Sequence, residues 1–175
     1  MRRPTIVVVA CLALLGAGCG SPFTVTPVVT PTPYSPMSLS STAFQDGGFI
    51  PVEYTCDGKG ISPPLTISDA PAGIKSFVLT LEDPDAPGGT FDHWVLFNIP
   101  SGTTTLAEGD ATGTAGTNGA GKVGYVALCP PSGTHHYVFT LYALDTTLRL
   151  TSNAKKADVL GALKPEIVFE AQLTG

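Results

Sequence analysis

The sequence predicts a mainly β protein, an antiparallel β-sandwich of two sheets with a short helix near the C-terminus. Several short segments carry apolar residues at every second position, one segment has helical spacing, and strands and helices do not alternate along the chain. The 175 residues include 20 glycines and 16 prolines, which indicates many turns. A chain of this length corresponds to one folded domain of ordinary size.

The N-terminus predicts an export signal over residues 1–18. Two arginines precede an apolar run from Ile6 to Leu15, and three small residues lead to Cys19. This order is typical of a secretory signal, whereas a membrane-spanning helix needs about 20 apolar residues. The small residues followed by cysteine resemble a bacterial lipobox. We therefore expect cleavage before Cys19 and lipidation of its thiol, with plain secretion or a retained anchor as alternatives.

A tether is predicted after the anchor. Residues 20–36 contain five prolines, four threonines and no charged side chain. Proline at this density disfavours helices and sheet ladders and favours an extended chain. Residues 19–36 are thus predicted to be a lipidated cysteine and a spacer, and the folded domain is expected to span residues 37–175.

Two cysteines remain for the folded domain. Cys11 leaves with the signal and Cys19 takes lipid, so Cys56 and Cys129 are left. Exported domains commonly form disulfides, which makes a bridge between these two possible. Their spacing does not distinguish one bridge from two free thiols on separate loops, and both arrangements stay open.

Periodicity and turn residues place the elements of the domain. The predicted strands, in chain order, are Phe49–Tyr54, Ser76–Glu82, His93–Ile99, His135–Leu144 and Ile167–Leu173. The segment Ser101–Gly121 is rich in glycine and threonine without periodicity and is predicted to be a long loop. A helix capped by Ser152 or Asn153 is predicted to extend to Leu163, with Val159, Leu160 and Leu163 facing inward.

Side-chain direction follows from a period of two. In Ser76–Glu82 it places Phe77, Leu79 and Leu81 on one face. In His93–Ile99 it places His93, Val95, Phe97 and Ile99 on one side and Trp94, Leu96 and Asn98 on the other.

Side chains of reactive type concentrate beside three strand ends. They are the acidic turn Glu82–Pro87, the segment Asp92–Trp94 and the turn Cys129–Tyr137. A period of two places His135 and Tyr137 on one face and His136 on the opposite face. Histidine and tyrosine supply hydrogen-bond donors that suit phosphate or carboxylate oxygens.

The order of these motifs resembles the phosphatidylethanolamine-binding protein family, in its bacterial branch often labelled Raf-kinase-inhibitor-like. The resemblance covers residues 44–174 and rests on Tyr54–Gly58, Ser62–Leu65, Asp83–Pro87, His93–Val95 with Asn98, Gly124–Tyr125, Cys129–Pro131, Gly133–Tyr137 and Leu141–Asp145. It implies a two-sheet sandwich with a small anion-binding pocket near one surface. The pocket residues that it implies here are Asp83, His93, Pro130, Pro131, His135 and Tyr137.

The chain departs from the family pattern at two places. His136 stands where the family usually has arginine, and Ala127 and Leu128 precede Cys129 where glycine and proline are commoner. Because a period of two turns His136 away from the pocket, we expect the first change to affect the support around the pocket more than ligand contact.

The leading hypothesis is a membrane-anchored lipoprotein of the bacterial envelope, facing outside the cytoplasm. It is expected to bind a small anionic or phosphorylated ligand, similar to a phospholipid headgroup, without catalysing a reaction. The alternatives are an inhibitor or docking partner of an envelope enzyme, acting through the pocket rim, and a hydrolase. No G-x-S-x-G or H-E-x-x-H motif is present, and neither a metal nor another cofactor is expected. The formal net charge of −5 argues against nucleic-acid binding.

Overall fold

The structure is a computed structural model that describes residues 36–163 and 167–175. The predicted signal peptide, Cys19 and the tether up to residue 35 lie outside the described residues. Within the described ranges, no helix is both long and apolar enough to cross a membrane.

Two antiparallel sheets confirm the predicted fold class. The smaller sheet has the order β1-β2-β5 and consists of β1 (Ser38–Ser40), β2 (Leu65–Ser68) and β5 (Thr105–Leu106). The larger sheet has the order β6-β4-β3-β7-β8 and consists of β3 (Ser76–Asp83), β4 (Phe91–Pro100), β6 (Thr114–Ala115), β7 (Val138–Leu144) and β8 (Ile167–Thr174). A 3₁₀-helix at Val52–Tyr54 and the helix α1 at Lys156–Leu163 complete the described elements.

Apolar side chains fill two layers, one on each face of the larger sheet. Between the sheets, Leu39, Leu65 and Leu106 of the smaller sheet join a cluster with residues of the larger one, including Phe77, Leu79, Leu81, Trp94 and Leu96. On the opposite face, Val159 and Leu163 of α1 pack with Val78, Val95 and Phe97. Burying a large apolar side chain contributes about 1.5–3 kcal/mol. The predicted shared face in β3 is confirmed, and α1 explains why the other face of that strand is buried too.

A bulge in β4 changes the predicted side-chain alternation. Phe77 pairs with Ile99 but Leu79 pairs with Leu96, so β4 contains an extra residue between these pairs. Asn98 has a φ of 53° there. Its side chain donates to the Leu148 carbonyl at 2.9 Å and accepts from the Leu148 N–H at 2.8 Å. The prediction that Ile99 shares a face with Val95 was therefore wrong, because the bulge turns Ile99 into the core between the sheets.

Two predicted elements have a different type in the structure. The strand predicted at Phe49–Tyr54 was wrong, since residues 49–51 are irregular and a 3₁₀-helix follows Pro51. Proline has no N–H for a sheet ladder, and its fixed φ, −57° here, suits entry into a helical turn. The predicted loop Ser101–Gly121 contains the two short strands β5 and β6, one in each sheet.

Two predicted starts shift by about three residues. The strand predicted from His135 begins at Val138, although Tyr137 exchanges two backbone hydrogen bonds with Gly175 at 2.9 and 3.0 Å. The helix begins at Lys156, and the predicted caps Ser152 and Asn153 lie in a preceding turn. The Asp158 carboxylate instead accepts a hydrogen bond from the Lys155 N–H at 2.9 Å, which satisfies a donor at the helix start.

Candidate functional site

An acidic turn and a histidine segment meet at one end of the larger sheet. Asp83 closes β3, and His135 lies just before β7, the neighbour of β3. His135 Nδ1 donates to Asp83 Oδ2 at 2.7 Å, and the Asp85 N–H donates to Asp83 Oδ1 at 2.9 Å. Both oxygens of the 4% exposed Asp83 side chain thus have partners within the protein. The contact also leaves Nε2 as the His135 nitrogen that is free to bind another group.

His93 forms the buried floor beside this pair. It is 5% exposed, and its Nδ1 donates to the Val126 carbonyl at 3.0 Å, while the Val126 N–H donates back to the His93 carbonyl. Burial lowers the pKa of His93, although nearby carbonyls and Asp83 oppose the shift. The ring is therefore neutral at pH 7, and with Nδ1 donating, its Nε2 is a hydrogen-bond acceptor.

Tyr137 carries a buried hydroxyl that has no hydrogen-bond partner among the described residues. The residue is 6% exposed, and its ring packs edge-on against His93 with centroids 5.4 Å apart. Burial, reinforced by the negative charge of Asp83, raises the pKa of Tyr137 to about 12. The hydroxyl therefore keeps its proton. An unpaired buried hydroxyl lowers the stability of a fold by about 1–3 kcal/mol. Because a ligand could supply the missing hydrogen bond, this hydroxyl is a strong candidate for ligand contact.

A cavity of about 400 Å³ adjoins these side chains. Of the six residues predicted for the pocket, Pro130, His135 and Tyr137 line it. Asp83, His93 and Pro131 are not among its described lining residues: Asp83 bonds to His135 and His93 packs on Tyr137, one layer behind the wall.

Residues 47–50 and the last two residues, Thr174 and Gly175, also line the cavity. Sequence reasoning missed both segments. Residues 49–50 were assigned to a strand, although the Asp46-Gly47-Gly48 turn signal just before them could have marked this region as a loop.

His136 makes a second carboxylate contact on the exposed side. Both its backbone N–H, at 2.8 Å, and its Nδ1, at 2.6 Å, donate to Asp85 Oδ2. These two bonds, the backbone one first, lower the pKa of Asp85. His135 and His136 thus contact different carboxylates. His136, which was predicted to turn away from the pocket, is nevertheless a lining residue of the cavity, and it also supports the site through Asp85. Sequence reasoning did not identify Asp85 as part of the site.

A disulfide joins two walls of the cavity. Cys56 and Cys129 are bonded, with their Cα atoms 5.4 Å apart. The neighbours Thr55 and Pro130 both line the cavity, and the Cys56 N–H donates to the Leu128 carbonyl at 3.0 Å. The bridge therefore ties the 3₁₀-helix segment to the proline turn beside the site.

The described residues contain no group of three or more His, Cys, Asp or Glu side chains placed to hold a metal ion. What the site presents to a ligand is a protonated tyrosine hydroxyl, one free histidine nitrogen and apolar side chains. The tyrosine hydroxyl is a donor that matches anionic oxygens.

Comparisons with known proteins agree on one family. The family model described as Phosphatidylethanolamine-binding protein matches residues 40–175. A UPF0098 protein of Methanothermobacter thermautotrophicus is 48% identical over 146 residues, covering 79% of this chain and 97% of that protein. LppC of Mycobacterium tuberculosis, named as a candidate lipoprotein, is 40% identical over 151 residues, covering 83% of this chain and 75% of LppC.

Two crystal structures have the same architecture. A candidate phosphatidylethanolamine-binding protein homologue from Chlamydia trachomatis superposes with a TM-score of 0.78 at 42% identity, covering 80% of this chain and 95% of that one. YbcL of Escherichia coli superposes with a TM-score of 0.73 at 32% identity, covering 80% of this chain and 96% of that one.

Proposed function

This chain belongs to the phosphatidylethanolamine-binding protein family, and from that premise we propose that it binds a small anionic or phosphorylated ligand, similar to a phospholipid headgroup, without turning it over. The single observation that carries the proposal is the buried hydroxyl of Tyr137, a residue that lines the cavity. This hydroxyl has no hydrogen-bond partner among the described residues. A ligand oxygen at this hydroxyl would restore the hydrogen bond lost on burial.

The Asp83–His135 pair makes the site compatible with an anion. Both Asp83 oxygens accept hydrogen bonds from within the protein, so the carboxylate is turned toward His135 and Asp85. Because Nδ1 is bonded to Asp83, Nε2 is the ring nitrogen through which His135 can contact a ligand. His93 supports Tyr137 from behind as a neutral ring.

Phosphorus NMR of the full-length chain with phosphoethanolamine tests this function. We expect saturable binding and an unchanged phosphate ester. Tyr137→Phe removes one hydrogen bond to a charged group, about 1.5–3 kcal/mol, and should weaken binding roughly 10- to 100-fold. Tyr142→Phe is the matched control, because Tyr142 lies on β7 but packs on the α1 side of the sheet. Equal affinity of Tyr137→Phe and the parent would refute the proposed site, and hydrolysis of the ester would refute the non-catalytic role.

We further propose that Cys19 is lipidated after removal of residues 1–18 and that the domain is held at the outer face of the cell membrane. The motif before Cys19 and the candidate lipoprotein LppC among the relatives support this proposal. Labelled palmitate should appear on the parent chain and on Cys11→Ser, but not on Cys19→Ser. Label retained by Cys19→Ser would contradict it.

A further inference from the structure

A second cavity, of about 190 Å³, shares no lining residue with the cavity beside Tyr137. Its described lining residues are residues 60–62, Trp94, residues 109–111 and Tyr125. Asp110 is the one carboxylate among them, and they include no lysine, arginine or histidine. Drug-sized ligands occupy cavities of about 300–1,000 Å³, so this cavity suits a smaller molecule.

Asp110 brings an unpaired negative charge to the wall of this cavity. The Thr112 N–H and hydroxyl each donate to Asp110 Oδ1 at 2.8 Å, and neither bond uses Oδ2. These bonds, that of the Thr112 hydroxyl first, lower the pKa of Asp110, although burial opposes the shift. None of the ion pairs in the described part of the chain involves Asp110. The Gly109 N–H donates to the Ser62 carbonyl at 3.0 Å, which joins the two loops of the wall.

Two aromatic side chains form another part of the wall. The rings of Trp94 and Tyr125 lie edge-to-face, with centroids 5.8 Å apart and planes at 89°. The Tyr125 hydroxyl donates to the Tyr54 carbonyl at 2.8 Å, which holds this ring in position. Burial raises the pKa of Tyr125, so its side chain stays uncharged at pH 7. Aromatic rings attract cations through the electron density of their faces.

We propose that this cavity is a second binding site, for a small alkylammonium ion whose charge lies near Asp110 and whose alkyl groups contact Trp94 and Tyr125. Such an ion matches both parts of the wall, because its charge suits the carboxylate and its alkyl surface suits the rings. The formal net charge of −5 favours the approach of a cation. The site is independent of the proposed anion site, since the two cavities have no lining residue in common.

Fluorescence titration of the full-length chain with tetramethylammonium chloride, at constant ionic strength, tests the inference. Trp94 is the only tryptophan in the sequence, so its emission reports on this cavity. We expect a saturable change in emission. The affinity for tetramethylammonium should be roughly tenfold higher than for tert-butanol, a neutral molecule of similar size. Ammonium chloride, which has the charge without the methyl groups, should also bind more weakly.

Asp110→Asn should weaken tetramethylammonium binding roughly tenfold, because it removes the charge from the wall. The asparagine side-chain oxygen can still accept the hydrogen bonds from Thr112, so the loop is retained. Asp69→Asn is the matched control, since it removes the same charge from an exposed residue outside the cavity lining. Asp69 has a φ of 54°, which asparagine also adopts, and the variant should bind like the parent.

The outcomes separate this site from the proposed anion site. Absence of a saturable change, equal affinity for tert-butanol or ammonium, or parent-like binding by Asp110→Asn would overturn the ammonium site. An equal loss in Asp69→Asn would also overturn it, because the effect would then come from the net charge of the domain. Phosphoethanolamine should bind Asp110→Asn as it binds the parent. Failure of the parent to bind phosphoethanolamine would refute the proposed function and would leave the ammonium titration as a separate result.

Discussion

Removal of the Cys56–Cys129 bridge should destabilise the domain strongly and weaken ligand binding. The bridge closes a segment with a sequence separation of 73 residues. In the chain-entropy model, a loop of this length restricts the unfolded chain enough to stabilise the fold by ~4 kcal/mol. For a domain of this size that loss corresponds to a fall in melting temperature on the order of 10–15 °C. The bridge also ties together the cavity walls that contain Thr55 and Pro130, so affinity for phosphoethanolamine should fall as well.

Differential scanning calorimetry of the double variant Cys56→Ala/Cys129→Ala measures the effect, and the single variant Cys56→Ala should melt at nearly the same temperature because it also lacks the bridge. Adding a reductant should lower the melting temperature of the parent and leave that of the double variant unchanged. A double variant that melts within about 2 °C of the oxidised parent would refute this reasoning. A loss of ~4 kcal/mol in the free energy of unfolding should lower the melting temperature by several times that amount.

Three further predictions concern single side chains. Burial lowers the folded-state pKa of His93 below its ordinary 6.5. The unfolded chain therefore binds the proton first as the pH falls, and the stability of the fold should decrease below about pH 6.5. In thermal melts across this pH range, His93→Asn should show a smaller decrease. In urea unfolding, Asn98→Ala should lower the free energy of unfolding by about 2 kcal/mol, because it loses both bonds to Leu148 and keeps a strained positive φ. Asn98→Gly loses the same bonds but relieves the strain, so it should lower the free energy of unfolding by less. Equal losses for the two variants would contradict the role of the φ. In carboxyl NMR titrations, His136→Ala should raise the pKa of Asp85 only part of the way to its ordinary value, since the backbone N–H at position 136 still donates; an unchanged pKa would show that the His136 ring does not act on Asp85.

Local pattern was sufficient for the regular elements. The alternation of Phe77, Leu79 and Leu81 identified a strand, because their shared face meets the smaller sheet. The spacing of Val159 and Leu163 likewise identified the face of α1 that packs on the larger sheet. Such patterns are visible in the sequence because a strand or helix that buries one face has apolar residues at the period of that element.

Contacts between residues far apart in the sequence could not be predicted from it. The bulge at Asn98 depends on a partner 50 residues away, Leu148, whose backbone satisfies the asparagine amide. Asp85 became part of the site only because the acidic turn folds beside His136, 51 residues away. A period of two predicted that His136 would point away from His135, but it could not predict that the His136 side chain would contact the Asp85 carboxylate.

The fold class, the order of the motifs and the residue types that a ligand could meet were predictable from the sequence, since these follow from local periodicity and from composition. The set of residues that face the cavity emerged from the folded arrangement. This arrangement placed Asp83 and His93 behind the wall, His135 and Tyr137 in it, and Phe49 on its rim. The physical reason is that a cavity is formed by chain segments brought together by sheet pairing, and its lining depends on how they pack across the fold.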